Sequence, residues 1–182
     1  MKRFLLWAAA FVAVIGLVAA YAIETEPDWY VRVRYPLHYE TIVKSHAKNY
    51  DLDPAMVAAV IYAESKFDPG TTSAAGAVGL MQLLPDTARG IAVRTGGDKF
   101  VVSDLLDPEI NVRYGSWYLR HLLDRYHDVR TALAAYHAGQ GNVDEWRRDG
   151  GGIRFPETRH YVEKVLDAQQ VYAEVYADEL GG

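Results

Sequence analysis

Residues 53–65 read DPAMVAAVIYAES, and this stretch carries the clearest structural signal in the chain. Asp53 suits the N-cap position, since its carboxylate can accept a hydrogen bond from an unpaired backbone N–H group of the first turn. Pro54 suits the first helical position, where a backbone N–H group is not needed. Together the two residues predict a helix that begins at residue 54.

Glu64 lies on the apolar face of this predicted helix. Val57, Val60 and Ile61 precede it by seven, four and three residues, the spacings of side chains that share one helical face. A lone glutamate near a helix end is usually a solvated surface residue. On an apolar face, however, the carboxylate loses hydration, which raises its pKa and lets it hold a proton near neutral pH. This position makes Glu64 a candidate general acid.

The rest of the chain also shows helical spacing, and it contains no recognisable strand run or internal repeat. Further helices are predicted over residues 85–90, 108–125, 129–138 and 143–148, and a long final helix from residue 156. Stretches rich in glycine and small polar residues separate the helices. We therefore expect an all-α domain with a cleft.

The N-terminal segment, residues 1–23, predicts export from the cytoplasm. Lys2 and Arg3 precede an uncharged run of 20 residues that begins at Phe4. A helix of this length can cross a hydrocarbon core of about 30 Å, and the charges place its N-terminus in the cytoplasm. We expect an uncleaved anchor that holds the domain on the outer face of the cytoplasmic membrane. Residues 20–22 also fit a signal-cleavage site, so secretion after cleavage is the alternative.

Composition excludes several classes of function. The net charge of −5 argues against a nucleic-acid partner, which requires a clustered basic face. The absence of cysteine excludes disulfides, thiolate metal ligands and thiol nucleophiles. The histidines lack metal-site spacing and no serine-nucleophile elbow occurs, so neither a metal nor another cofactor is predicted. Residues 24–38 are predicted to be a linker, and residues 39–178 a single domain.

Three further motifs follow the pair Glu64-Ser65. They are Gly79-Leu80-Met81-Gln82, Ala135-Tyr136-His137-Ala138-Gly139 and Glu157-Thr158-Arg159-His160-Tyr161-Val162. Each motif alone is weak, because glycine-rich loops are common and most tyrosines pack in cores. In this order and approximate spacing, the four motifs resemble those of soluble-type lytic transglycosylases, the SLT domains of the lysozyme-like superfamily. The resemblance covers roughly residues 39–175.

This resemblance implies a lysozyme-like, goose-type helical fold and a catalytic domain that cleaves peptidoglycan glycan strands in the bacterial cell envelope. Glu64 is then the catalytic residue. The bond cleaved is the β-1,4 linkage between N-acetylmuramic acid and N-acetylglucosamine, and the product carries a 1,6-anhydro ring. The residues that the resemblance assigns to substrate binding are Ser65, Ser73, Gly79, Met81, Gln82, Tyr136, His137 and Tyr161. The chain departs from the family at His137, where asparagine is usual.

Two other functions are compatible with the same residues. A hydrolase similar to goose-type lysozymes would cleave the same bond with a water molecule activated by a second carboxylate. Asp68 and Asp86 are candidates for that carboxylate by sequence proximity alone. A non-catalytic peptidoglycan-binding protein would have no need of Glu64. The presence of Glu64 together with all four motifs counts against the non-catalytic protein.

Overall fold

The computed structural model describes the backbone of residues 2–181. The side chains of residues 2, 3, 5, 6 and 8–10 lie outside the described residues. The chain divides into two compact units, Met1–Tyr35 and Pro36–Gly182.

The first unit contains two helices, α1 (Lys2–Thr25) and α2 (Asp28–Arg34). Helix α2 lies where a linker was predicted; Asp28 in its first turn and basic residues in its last turn complement the helix dipole. No helix within the described residues is long and apolar enough to cross a membrane. The predicted membrane-spanning anchor is therefore not supported, although part of residues 4–23 lies outside the described side chains.

The second unit is helical, and the described residues contain isolated β-bridges but no strand. Its helices are α3 (Glu40–Asn49), α4 (Pro54–Ser65), α5 (Pro85–Thr95), α6 (Pro108–Tyr126), α7 (Val129–Ala138), α8 (Gln140–Arg148), α9 (Pro156–Val175) and α10 (Ala177–Leu180). A short 3-10 helix, Val102–Leu106, precedes α6. The all-α prediction is confirmed.

Aspartate caps explain why α4, α6 and α7 begin where they were predicted to begin. The Asp53 carboxylate accepts a hydrogen bond from the Ala55 backbone N–H group at 2.9 Å. Asp107 and Asp128 accept equivalent bonds at the starts of α6 and α7. A short acidic side chain before a helix satisfies donors that otherwise have no partner, which is a local effect that sequence alone can predict.

Two predicted helix boundaries were wrong. Helix α5 continues past Gly90 to Thr95, because the glycine that ends it is Gly96, whose φ of +75° gives the left-handed cap. Helix α8 begins at Gln140 rather than Val143, directly after the glycine that ends α7. Helices α5 and α7 each end at a glycine, but Gly90 lies inside α5 and ends no helix.

Helix α4 lies in the core and positions the candidate site. Residues 55–61 are all buried, and the helix makes its most extensive contact with α9. A helix that is apolar on all sides requires such burial. The buried residues of α4 therefore fix the position of its last turn, which carries Glu64.

Candidate active site

The Glu64 carboxyl is half-buried in the last turn of α4. Burial raises its pKa from 4.5 to about 7, because the charged form loses hydration. The Tyr161 hydroxyl and the Lys164 ammonium group act in the opposite direction, but burial outweighs both. The rise in pKa predicted from the helical face is thus present, and the group can both donate and accept a proton near neutral pH.

Tyr161, on α9, directs a neutral hydroxyl toward Glu64. The hydroxyl is buried, and within the described residues it forms no hydrogen bond with good distance and angles. It still lies close enough to the carboxyl to lower the Glu64 pKa. Burial and the Glu64 charge hold the pKa of Tyr161 well above its usual value, so the hydroxyl keeps its proton and remains a donor.

The buried amide of Asn111 holds the glycine-containing loop beside the site. Its Oδ1 atom accepts the backbone N–H of Met81 at 2.7 Å. Its Nδ2 group donates to the carbonyls of Val78 at 2.9 Å and Leu105 at 2.8 Å. Gly79 has a φ of +81°, and a Cβ atom there would overlap the Asn111 amide and the Leu105 carbonyl. The loop can therefore approach α6 only with glycine at position 79.

Three further side chains hold the same loop. The Ser65 hydroxyl, from α4, donates to the Leu80 carbonyl at 2.8 Å. The Tyr136 hydroxyl, from α7, donates to the Met81 carbonyl at 2.9 Å. The Gln82 amide donates to the Gly79 carbonyl at 2.8 Å and to the Thr71 carbonyl at 3.0 Å. The loop is thus attached to α4, which carries Glu64, and to α7.

Several predicted substrate-contacting residues therefore support the loop. The Ser65 side chain is buried, and its hydroxyl is already bonded to main-chain carbonyls. The Met81 side chain is fully buried against Gly115, whose missing Cβ leaves room for it. Gly79 is also buried. Ser73 is exposed, and its hydroxyl oxygen accepts the Ala77 N–H in a turn at the outer part of the loop. Their contact with substrate stays a prediction.

His137 packs beside Tyr161 at the C-terminal end of α7. The two rings lie 4.5 Å apart with a 30° tilt. The Nδ1 atom of His137 lies 3.1 Å from the hydroxyl oxygen of Thr158, which is fully buried. Desolvation lowers the pKa of His137, with a partial counter-effect from Glu157. The geometry supports a role for neutral His137 in holding the Tyr161 ring.

Lys164 was missed by the sequence analysis. Its Nζ group donates to the carbonyl of Ala63 at 2.7 Å, directly before Glu64, and lies 5.8 Å from the Tyr62 ring centroid. Its charge lowers the Glu64 pKa, while desolvation lowers its own. Lys164 follows Tyr161 by three residues and therefore shares its face of α9, which was an available signal.

Lys164 is the charged side chain that acts on the Glu64 pKa. Asp68 is exposed, and its Oδ1 atom accepts the Gly70 N–H at 2.9 Å. Asp86 is also exposed and forms an ion pair with Arg89 at 2.6 Å. The described residues contain no cluster of three or more histidine or acidic side chains suited to a metal ion.

Comparison with known proteins identifies the family. The sequence model of the transglycosylase SLT domain matches residues 41–153. The chain belongs to this family. This SLT domain is 46% identical over 106 residues to the transglycosylase of Enterobacteria phage PRD1, which covers 58% of this chain and 36% of that protein. It is 32% identical over 151 residues to the soluble lytic murein transglycosylase of Salmonella typhimurium, covering 76% of this chain and 23% of that protein.

The solved structure of the 70 kDa soluble lytic transglycosylase from Escherichia coli has the same fold. The TM-score is 0.76 at 28% identity, and the match covers 89% of this chain and 30% of that chain. The predicted resemblance to lytic transglycosylases of the lysozyme-like superfamily is confirmed. The chain spans about a quarter to a third of the length of these relatives.

Replacing Lys164 with methionine should move the activity profile to higher pH. As the predicted general acid, Glu64 must carry its proton, so activity should fall as the pH rises through the Glu64 pKa. Because the ammonium charge lowers that pKa, its removal should move the alkaline limb upward. The pH dependence of kcat/KM measures this shift, with Lys48→Met, an exposed change on α3, as the control. An unmoved or lowered limb in a folded Lys164→Met protein would contradict the electrostatic role.

Proposed function

We propose that this SLT domain cleaves the β-1,4 bond between N-acetylmuramic acid and N-acetylglucosamine in peptidoglycan without water. The observation that carries the proposal is a half-buried glutamate with a pKa of about 7, while Asp68 and Asp86, the carboxylates considered for activating water, are exposed and held in local contacts. Most glycosidases need two carboxylates, one to protonate the leaving oxygen and one to act as nucleophile or base. A single carboxyl suffices when the substrate supplies the nucleophile.

In the first step, neutral Glu64 donates its proton to the glycosidic oxygen. The bond between C1 of the muramoyl sugar and this oxygen breaks, and N-acetylglucosamine leaves with a free 4-hydroxyl group. Positive charge develops at C1, and Glu64 becomes a carboxylate. Lys164 and the Tyr161 hydroxyl favour this ionised form, so the same two groups that oppose the raised pKa stabilise the product of the proton transfer.

In the second step, the C6 hydroxyl of the muramoyl sugar attacks C1 and transfers its proton to ionised Glu64. The new C6–O–C1 bond closes the 1,6-anhydro ring, and Glu64 is neutral again. The nucleophile belongs to the same sugar, so its effective concentration at C1 is high and no water needs activation. The loop and the tyrosines would then orient the sugar and exclude water from C1.

Hydrolysis is the second candidate, and the geometry favours it less. It requires a carboxylate positioned to activate water. Asp68 and Asp86 are both exposed and are engaged in local contacts. A non-catalytic binding protein is also less well supported, because a surface that only binds glycan gains nothing from a desolvated glutamate beside a neutral donor.

Glu64→Gln should reduce turnover by at least about a hundredfold without disrupting the fold. The amide keeps the shape of the side chain but cannot transfer the proton. Asp68→Asn and Asp86→Asn are matched controls and should each change the rate by less than about threefold. The measurement is mass analysis of the fragments released from purified peptidoglycan.

The products distinguish the three functions. Intramolecular closure gives fragments that are one water lighter than those from hydrolysis. Reducing ends, together with a large loss of rate in one of the aspartate variants, would establish a hydrolase. If the protein binds glycan but releases no fragment, and if Glu64→Gln leaves the binding unchanged, the protein is a binding protein.

The proposed location is the outer face of the cytoplasmic membrane, where the peptidoglycan substrate lies. The support is the basic pair Lys2-Arg3 followed by an uncharged run to residue 23. We expect the full chain to sediment with membranes, and N-terminal sequencing of the mature protein to begin within the first residues. Recovery of a soluble form beginning near residue 23 would instead establish secretion after cleavage.

A further inference from the structure

The turn that follows Glu64 holds two residues in a strained backbone conformation. Lys66, the C-cap of α4, has a φ of 52°, and Phe67 has a φ of 66°. Residues other than glycine seldom adopt this left-handed conformation, and a bulky side chain keeps it only where the surrounding structure holds it there. The contacts of Phe67 must therefore hold the turn.

Two aromatic rings hold the Phe67 side chain, which is only 4% exposed. The Tyr172 ring, from α9, lies 6.2 Å from the Phe67 ring with an interplanar angle of 60°. The His38 ring, from the segment before α3, lies 5.9 Å away at 85°. Edge-to-face pairs have a preferred geometry, so these contacts fix the orientation of the Phe67 ring as well as its burial.

Tyr172 also contacts the chain on the other side of Glu64. Its ring lies 6.2 Å from the Tyr62 ring with an interplanar angle of 69°. Tyr62 precedes Glu64 by two residues, and Phe67 follows Glu64 by three. One side chain of α9 therefore supports the chain both before and after the proposed catalytic residue.

The Tyr172 ring is itself held in place. It is fully buried, and the Tyr176 ring stacks against it with centroids 5.5 Å apart and a 28° tilt. Its hydroxyl donates a hydrogen bond to the Pro36 carbonyl at 2.8 Å. A close-packed ring with a satisfied hydroxyl has little freedom to turn, so Tyr172 can act as a rigid support.

The direction of the Glu64 carboxyl depends on this support. The carboxyl stays half-buried and near the Tyr161 hydroxyl only if the last turn of α4 keeps its position against α9. The bond from Lys164 to the Ala63 carbonyl, at 2.7 Å, holds the same turn to α9. Displacement of a catalytic group by about 1 Å can cost roughly a hundredfold in rate, so a contact that prevents such a displacement matters for turnover.

We propose that Tyr172 is a positioning residue, which acts through Tyr62 and Phe67 to hold the strained turn and to keep the Glu64 carboxyl directed at Tyr161. Tyr172 lies outside the four sequence motifs. The proposal rests on the proposed function, in which Glu64 transfers the proton.

The test compares Tyr172→Leu with Tyr172→Phe, and Tyr126→Leu is the matched control. Tyr126, on α6, is also buried, and its hydroxyl lies 3.0 Å from the Asp144 carboxylate. On purified peptidoglycan, Tyr172→Leu should lower kcat at least about tenfold and change KM by less than about threefold. Tyr172→Phe keeps the ring contacts and should retain kcat within about threefold. Tyr126→Leu should retain the kcat of the parent in its folded fraction.

A ¹³C NMR titration of the Glu64 carboxyl gives a readout independent of cleavage. In folded Tyr172→Leu the midpoint should fall toward 4.5, because a displaced carboxyl gains water and burial is the largest influence on the Glu64 pKa. Tyr172→Phe and Tyr126→Leu should titrate like the parent. An unmoved or raised midpoint in folded Tyr172→Leu would overturn the proposal, and so would equal losses of kcat in Tyr172→Leu and Tyr126→Leu.

A second variant keeps the test decisive if Tyr172→Leu does not fold. Phe67→Leu makes a smaller change at the other end of the same ring contact and should also lower the Glu64 midpoint. A parental midpoint in Phe67→Leu would then overturn the proposal. If the parent releases no fragments from peptidoglycan, the proposed function fails, and the titration still tests whether Tyr172 positions Glu64.

Discussion

The loss of water around the Glu64 carboxyl is the constraint on which the rest of the site depends. It follows from the position of Glu64 in the last turn of a helix whose preceding residues are buried on every side. A charged carboxylate is costly there, so the group keeps its proton up to a pH of about 7. A fully solvated carboxylate would have lost that proton, and a fully enclosed one could not reach a glycan. Half-burial gives an acid that can donate its proton and take it back.

Much of the remaining architecture holds polar groups in place around this carboxyl. A buried backbone group must find a partner, and in the loop beside Glu64 those partners are the side chains of Asn111, Ser65 and Tyr136. Each of these three side chains comes from a different helix, so the position of the loop depends on how α4, α6 and α7 pack together. Tyr161 and Lys164 approach from α9, and both favour the ionised form of Glu64. The site is thus supported by tertiary packing and not by the loop sequence alone.

The sequence predicted the features that have local causes. Asp53 and Pro54 predicted the start of α4, and the apolar spacing predicted the face on which Glu64 lies. The roles that depend on tertiary contacts were not predicted. Asn111 shares a helical face with Gly115 and Leu119, so its burial was foreseeable, but its three partners were not. Met81 falls in a motif that resembles a glycan-contacting loop, yet its side chain packs on the side of the core, because Gly115 leaves room for it.

The proposed mechanism requires Glu64 to be a neutral acid near pH 7, and the pKa of Glu64 can be measured directly. The measurement is a ¹³C NMR titration of the Glu64 side-chain carboxyl, assigned by its absence in Glu64→Gln. We expect a midpoint near pH 7, the value to which burial raises the pKa of Glu64 in this fold. A midpoint near 4.5, the ordinary value for a solvated glutamate, would contradict it, because the residue would then have no proton to donate at neutral pH.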